Sequence, residues 1–360
     1  MLAAAAAQLS AAQLSAAQVT WPQAPAPRDG DARIAAVLAT IQDAHRIPAI
    51  AAAVVRAGGL QAVGVVGWRK LGDPTPARAT DQWHLGSNTK AMTATLAARL
   101  VERGLLRWDT TVGEVLPEAG EAWRGVTLDQ LLAHRAGTPE NLDWSRIPDR
   151  VAVAHALIPM GGPLDPPGAA FRYSNTGYVL AGAMLERRGG RRWEELIADE
   201  VWRPLHIAGA GFGGMGTAGQ SDQPWGHHPP GVVVGNGPAA DNPLVLGPAG
   251  TAHMPLADWA RFIADQLSGA LGESALLTTA SYRHLHEPWS GGDYARGWIV
   301  LQRAWAQGQA LTHAGSNTMH YAVVWMAPRI DLAVLVCCNQ GDAAAACDAA
   351  VAAVLALYLP

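Results

Sequence analysis

His84-Leu85-Gly86-Ser87-Asn88-Thr89-Lys90-Ala91-Met92-Thr93-Ala94 runs directly into the apolar-periodic segment Leu96-Ala97-Ala98-Arg99-Leu100-Val101. Gly86 reads as the last residue of a loop and Ser87 as the start of a helix, which puts Ser87 and Lys90 on one helical face. A serine hydroxyl is a weak nucleophile until a neighbour takes its proton. An amine one turn away can take it if burial or nearby cations keep that amine neutral. The start of a helix also offers unpaired backbone N–H groups and a partial positive charge where an oxyanion must develop. The chain has eleven serines and only two lysines, Lys70 and Lys90, so chance alone predicts well under one S-x-x-K match.

Two further motifs lie downstream. Phe171-Arg172-Tyr173-Ser174-Asn175 contains a Y-x-N, the only one among six tyrosines. It follows the loop signal Pro166-Pro167-Gly168 and precedes a helical pattern, so Tyr173 and Asn175 are predicted to project from a loop into a cleft. Leu311-Thr312-His313-Ala314-Gly315-Ser316-Asn317 falls at the end of a strand pattern. Each motif alone is weak, and the plain alternative for Tyr173 is a buried ring with its hydroxyl bonded.

Around these motifs the chain divides by periodicity. Ile34, Val37, Leu38 and Ile41 predict an amphipathic helix over 31–46, and 49–56 and 60–68 read as two strands joined by a tight turn. Thr127 and Gln130 are placed for a capping box, and the helix they open closes at Gly137, with His134 as a structural side chain at its end. Helices follow over 177–188, 193–201 and 255–267. Strand-like runs cover 295–302, 309–313, 321–327 and 332–338, and an alanine-rich helix covers 342–358. The predicted fold class is α+β, an antiparallel sheet flanked by the terminal helices with a helical lobe inserted. Residues 1–27 form a flexible tail, 28–86 and 250–360 a sandwich lobe, and 87–249 a mostly helical lobe, together one domain.

Composition narrows the function classes. A chain of 360 residues with 49% hydrophobic content can bury a large core. Charged residues make up only 16%, the net charge is −4, and neither a basic run nor a phosphate-binding Gly-rich motif is present, which argues against nucleic acid and for a small-molecule partner. No membrane-spanning stretch is evident. No Lys or Arg precedes Arg28, so the start lacks the basic region of a secretory signal. Export would require a leader already removed; otherwise the expected location is the cytoplasm. Cys337, Cys338 and Cys347 read as small core hydrophobes, with a bridge to Cys347 as the lesser alternative. Residues 209–250, rich in Gly and Pro, carry Trp225-Gly226-His227-His228, and Trp225 is expected to wall a cleft and shape its acyl pocket. The paired histidines have no carboxylate or cysteine at ligand spacing, so no metal is expected.

In this order, S-x-x-K, Y-x-N, then a basic residue-x-Gly on a strand, the chain resembles the serine hydrolases that include class C β-lactamases, serine DD-peptidases and β-lactamase-like (family VIII) esterases. The resemblance runs from about Ala35 to the last helix. It implies an α/β sandwich with a helical lobe and the active site between them. By the same resemblance Ser87 forms an acyl-enzyme, Lys90 and Tyr173 share the proton traffic, and Asn175 bonds the acyl side of the substrate. The N–H groups of Ser87 and Ser316 make an oxyanion hole, Gly315 and His313 belong to the strand motif, and no cofactor or metal is implied. His313 stands where class C β-lactamases have lysine. A neutral imidazole gives up much of the contact with a substrate carboxylate, which favours small esters or amides over β-lactams, and protonation near pH 6 would restore it. No class A general-base glutamate motif is recognisable, so water activation also falls to Tyr173 and Lys90. The alternatives are a true β-lactamase or DD-peptidase and, from another class, a non-catalytic penicillin-binding or sensor protein.

Overall fold

Asp31 accepts the backbone N–H groups of Arg33 and Ile34 at 2.8 and 3.2 Å and so caps the helix α1 (Ala32–His45). Ile34, Leu38 and Ile41 form its buried stripe, and Arg46, in the left-handed conformation, ends it ahead of Pro48. The computed structural model describes residues 21–22 and 25–359, so most of the tail expected over 1–27 lies outside the described residues.

A three-residue strand β1 (Arg28–Gly30) precedes α1, and the hairpin β2 (Ala49–Arg56) and β3 (Gly59–Gly67) follows it. Four strands from the far end of the chain, β4 (Ile299–Arg303), β5 (Gly308–Ser316), β6 (Tyr321–Ala327) and β7 (Leu332–Cys338), complete the sheet. Its order is β1-β3-β2-β7-β6-β5-β4, antiparallel at every pairing. The fold class is therefore the expected α+β.

Strand β2 shows why both faces are covered. Ile50, Ala52 and Val54 point into a core shared with α1 and with α5 (Ala344–Tyr358), whereas Ala49, Ala51, Ala53 and Val55 join a larger core. On that second face α4 (Leu256–Leu271) packs against β2 and β3. Two further helices, α2 (Thr89–Glu102) and α3 (Asn175–Gly189), are buried along most of their length against this larger core. The cysteines obey the same alternation. Cys337 faces the larger core and Cys338 the smaller, where its Sγ lies 3.7 Å from that of Cys347, and all three are free thiols.

Two stretches differ from the sequence expectation. Thr279–His286 forms a helix capped by Thr278, whose hydroxyl accepts the Ser281 N–H at 3.3 Å. Residues 209–250 are more ordered than an open loop: Gly211–Phe212 pairs with Ala252–Pro255, Gly226–His228 pairs with Val232–Gly235, and Gly247–Gly250 forms a short helix.

Candidate active site

The three motifs meet where α2 and α3 begin and β5 ends. Gly86–Asn88 forms a single 3₁₀ turn that leads into α2, so Ser87 sits one turn before the helix proper. Thr89 Oγ1 donates to Gly86 O at 2.7 Å, and Asn88 Nδ2 donates to Leu85 O at 2.8 Å, which ties the turn to its own entry. The end of β5 passes unusually close. A Cβ on Gly315 would overlap Leu85 O and Ser87 N, and one on Gly86 would overlap Ser316 N. Only glycine at both places lets the backbones of Ser87 and Ser316 lie side by side.

Lys90 Nζ lies 2.9 Å from Ser87 Oγ, 2.8 Å from Asn175 Oδ1 and 2.7 Å from Ala249 O. Its side chain is fully buried with no carboxylate against it among the described residues, and burial pushes the ammonium pKa well below the ordinary lysine value. A neutral amine has two N–H donors and one lone pair. Asn175 Oδ1 and Ala249 O are both acceptors, so they take the donors and leave the lone pair for the Ser87 hydroxyl. On the other side of the serine, the Tyr173 hydroxyl donates to Ser87 Oγ at 2.9 Å. Burial raises the Tyr173 pKa to about 12, opposed by its bond to Ser87, which leaves a phenol near neutrality.

Tyr173 is held by its flanks. His134 Nδ1 accepts the Ser174 N–H at 3.1 Å, His134 O accepts the Arg172 N–H at 2.8 Å, and the imidazole lies 4.4 Å from the tyrosine ring between centroids. Burial drives the His134 pKa well down, so a neutral ring at a positive φ of 56° supports the tyrosine. Ser174 caps α3 by accepting the Gly177 N–H at 2.9 Å, and Asn175 opens that helix.

His313 requires a correction. It adjoins Tyr173, with ring centroids 6.4 Å apart, but its nitrogens face Tyr294 OH at 3.0 Å and Ala314 O at 2.7 Å. Burial pushes its pKa down to about 3. The ring therefore stays neutral at pH 6, and the expected gain of a cationic carboxylate contact does not arise.

The cleft over Ser87 has a volume of about 290 Å³. Its walls come from Asn141, Trp144, Asn242, Leu246, Asn317 and Thr318, and among the described residues no charged side chain lines it. Asn141 Oδ1 accepts from Asn175 Nδ2 at 2.9 Å and from Trp144 Nε1 at 3.3 Å. Trp225 does not share this lining. Its indole stacks on Lys70, with Nζ 3.8 Å from the ring centroid, and donates to Gln220 O at 2.9 Å. The aromatic wall is Trp144, which no motif marks. His227 and His228 are tied separately, the first to Leu71 N and Asn339 O, the second to Thr318 O. A larger cavity, about 730 Å³, opens beside Arg150, whose guanidinium is already paired with Glu186 and Glu194, and it contains none of the motif residues.

A family profile described as Beta-lactamase matches residues 34–358. The chain belongs to the Beta-lactamase family. Within it, the chain is similar to penicillin-binding protein 4 of Amycolatopsis lactamdurans, with 32% identity over 169 residues that cover 45% of this chain and 44% of the relative. A second relative, penicillin-binding protein 4* of Bacillus subtilis (strain 168), is 28% identical over 147 residues, covering 38% of this chain and 32% of the relative. The chain thus spans under half the length of these curated relatives. Among solved structures, the class C beta lactamase from Rhodobacter sphaeroides superposes with a TM-score of 0.74 at 19% identity, covering 91% of this chain and 99% of that one. That superposition shows the fold alone and leaves the substrate to the site.

Proposed function

We propose that this Beta-lactamase-family chain is a serine hydrolase that works through an acyl-enzyme on small uncharged esters or amides. The observation that carries the reading is the position of Ser87 Oγ between the buried Lys90 Nζ at 2.9 Å and the Tyr173 hydroxyl at 2.9 Å, where burial favours the free amine on one side and the phenol on the other. In acylation the Ser87 proton passes to the Lys90 lone pair as Oγ bonds to the substrate carbonyl carbon. Negative charge then develops on the carbonyl oxygen beside the Ser87 and Ser316 N–H groups. Collapse expels the alcohol or amine, which receives a proton through Tyr173, itself reprotonated from Lys90. Water reverses the sequence and releases the acid.

The preference for uncharged substrates follows from the cleft. Its walls are amide, hydroxyl, indole and leucine side chains, and His313 is buried and neutral. A β-lactam or D-alanyl-D-alanine carboxylate finds no cation in that lining. The second reading, a β-lactamase or peptidase, draws on the names of the penicillin-binding relatives. One panel separates the two: p-nitrophenyl acetate and butyrate, nitrocefin and a D-alanyl-D-alanine peptide, each at pH 6 and pH 8. Ester turnover well above that of nitrocefin is expected at both pH values. Efficient nitrocefin hydrolysis with negligible ester cleavage would replace this reading with the second.

A further inference from the structure

The residues that lead into Ser87 are tied to the far side of the cleft through one buried carboxylate. His84 ends the short strand Gln82–His84, and its side chain is 0% exposed. Its Nδ1 accepts the Gly86 N–H at 3.1 Å, and its Nε2 lies 2.9 Å from Asp241 Oδ2. A backbone N–H can only donate, so Nδ1 is the bare nitrogen and Nε2 carries the proton that Asp241 accepts. The other oxygen of Asp241, Oδ1, accepts from Asn317 Nδ2 at 2.9 Å. Asn317 Oδ1 in turn accepts the backbone N–H groups of Met319 at 3.2 Å and His320 at 2.9 Å. Asp241 is itself only 1% exposed.

The two backbone N–H groups that flank the reacting carbonyl belong to Ser87 and Ser316. Gly86, bonded to His84, immediately precedes the first, and Asn317, bonded to Asp241, immediately follows the second. We propose that His84, Asp241 and Asn317 form a buried clamp that fixes the spacing of these two N–H groups, and that they are positioning residues for acyl transfer. The proposal rests on the reading of Ser87 as nucleophile.

The chemistry of the clamp yields a specific test. In Asp241→Asn, an amide N–H turned towards His84 would force the imidazole proton onto Nδ1, where it would face the Gly86 N–H, donor against donor. An amide oxygen turned towards His84 would instead set the amide N–H against Asn317 Nδ2. Either way one tie breaks. The expected result is a fall in kcat on p-nitrophenyl butyrate of about 10- to 100-fold, the size produced by small misplacements of reacting groups, with KM within about 2-fold of wild type. Inhibition by a phenylboronic acid, whose tetrahedral adduct places an oxygen between the same two N–H groups, should weaken in parallel. His84→Asn retains a carbonyl oxygen near the Nδ1 position and should keep more activity than His84→Ala. Adding Asp241→Asn to His84→Asn should then cost little more, because the tautomer conflict is gone.

Unchanged kcat in Asp241→Asn would overturn the clamp, as would equal losses in His84→Asn and His84→Ala. A lower melting temperature with kcat and boronate affinity intact would also overturn it, because a purely structural tie would do just that. Fluorophosphonate labelling of wild-type Ser87 is run beside these assays. Labelling of Ser87 together with unchanged kcat in Asp241→Asn defeats the clamp alone; no labelling at Ser87 defeats both readings.

Discussion

At Ser87 two protonation states decide the chemistry. Burial with no counter-charge beside it among the described residues pushes the Lys90 pKa well below the ordinary lysine value, which favours the free amine, and burial raises the Tyr173 pKa to about 12, which keeps it a phenol. A base must be deprotonated to act, so the proposed acylation step is lost as pH falls through the Lys90 pKa and is complete above it. That pKa lies well below the ordinary lysine value, so kcat/KM on a p-nitrophenyl ester, corrected for hydroxide hydrolysis and followed from pH 8 to pH 10, should level off rather than keep climbing. A rise of about 10-fold per pH unit over that range would mean that Lys90 titrates as an exposed lysine. Tyr173→Phe retains the ring against His134 and removes only the hydroxyl. It should lower kcat by about 10²-fold or more while the melting temperature holds, and loss of activity in step with melting would assign the tyrosine a packing role. The sequence made Ser87, Lys90, Tyr173 and Asn175 legible because each sits in a short motif with a fixed spacing. Trp144 and Asn141, which line the cleft, and Asp241, buried between His84 and Asn317, were not legible, since they come from segments where neither spacing nor periodicity marks a side chain. His313 was legible as a motif residue but not as a buried one, because its partner Tyr294 lies on a turn whose placement depends on the folded sheet.

At the scale of elements, the site depends on one close approach. The turn carrying Ser87 and the end of β5 meet through Gly86 and Gly315, with no space for a side chain at either. Gly315→Ala should therefore push the strand from the turn and reduce kcat/KM by about 10²-fold, with a stability loss of about 1–3 kcal/mol from overpacking. An active Gly315→Ala enzyme with wild-type melting would show that the two backbones need not touch. Strands β6 and β7 were readable to their end residues because apolar runs there are bounded by turn residues on both sides. The strand expected from Ala295 starts only at Ile299, because Ala295 N–H bonds to Trp298 O at 2.8 Å and closes a turn first. Helix Thr279–His286 has eight residues, two turns of mixed polarity too short for a periodic signal, and it forms because Tyr282 and Leu285 are buried by the rest of the core.

Across the whole molecule, buried histidines set the acid limit of the fold. Burial pushes His227, His253 and His286 down to about 4 and His313 and His320 to about 3, against 6.5 when exposed. The unfolded chain therefore binds more protons than the folded one below pH 6.5. The stability is fully present above that pH and drains as pH falls, by about 1.4 kcal/mol per pH unit for each such histidine. The melting temperature should be level from pH 7 to pH 8 and drop steeply between pH 6.5 and pH 4.5. A flat profile to pH 4.5 would mean that these rings are hydrated or already charged. Assays of the site belong at pH 6 and above, before most of that stability is lost. There the most direct measurement is the intact mass of the protein after a fluorophosphonate, followed by a peptide map. The expected result is a single adduct on Ser87 that is absent from Ser87→Ala; an adduct on another serine, or full ester turnover by Ser87→Ala, would contradict the account.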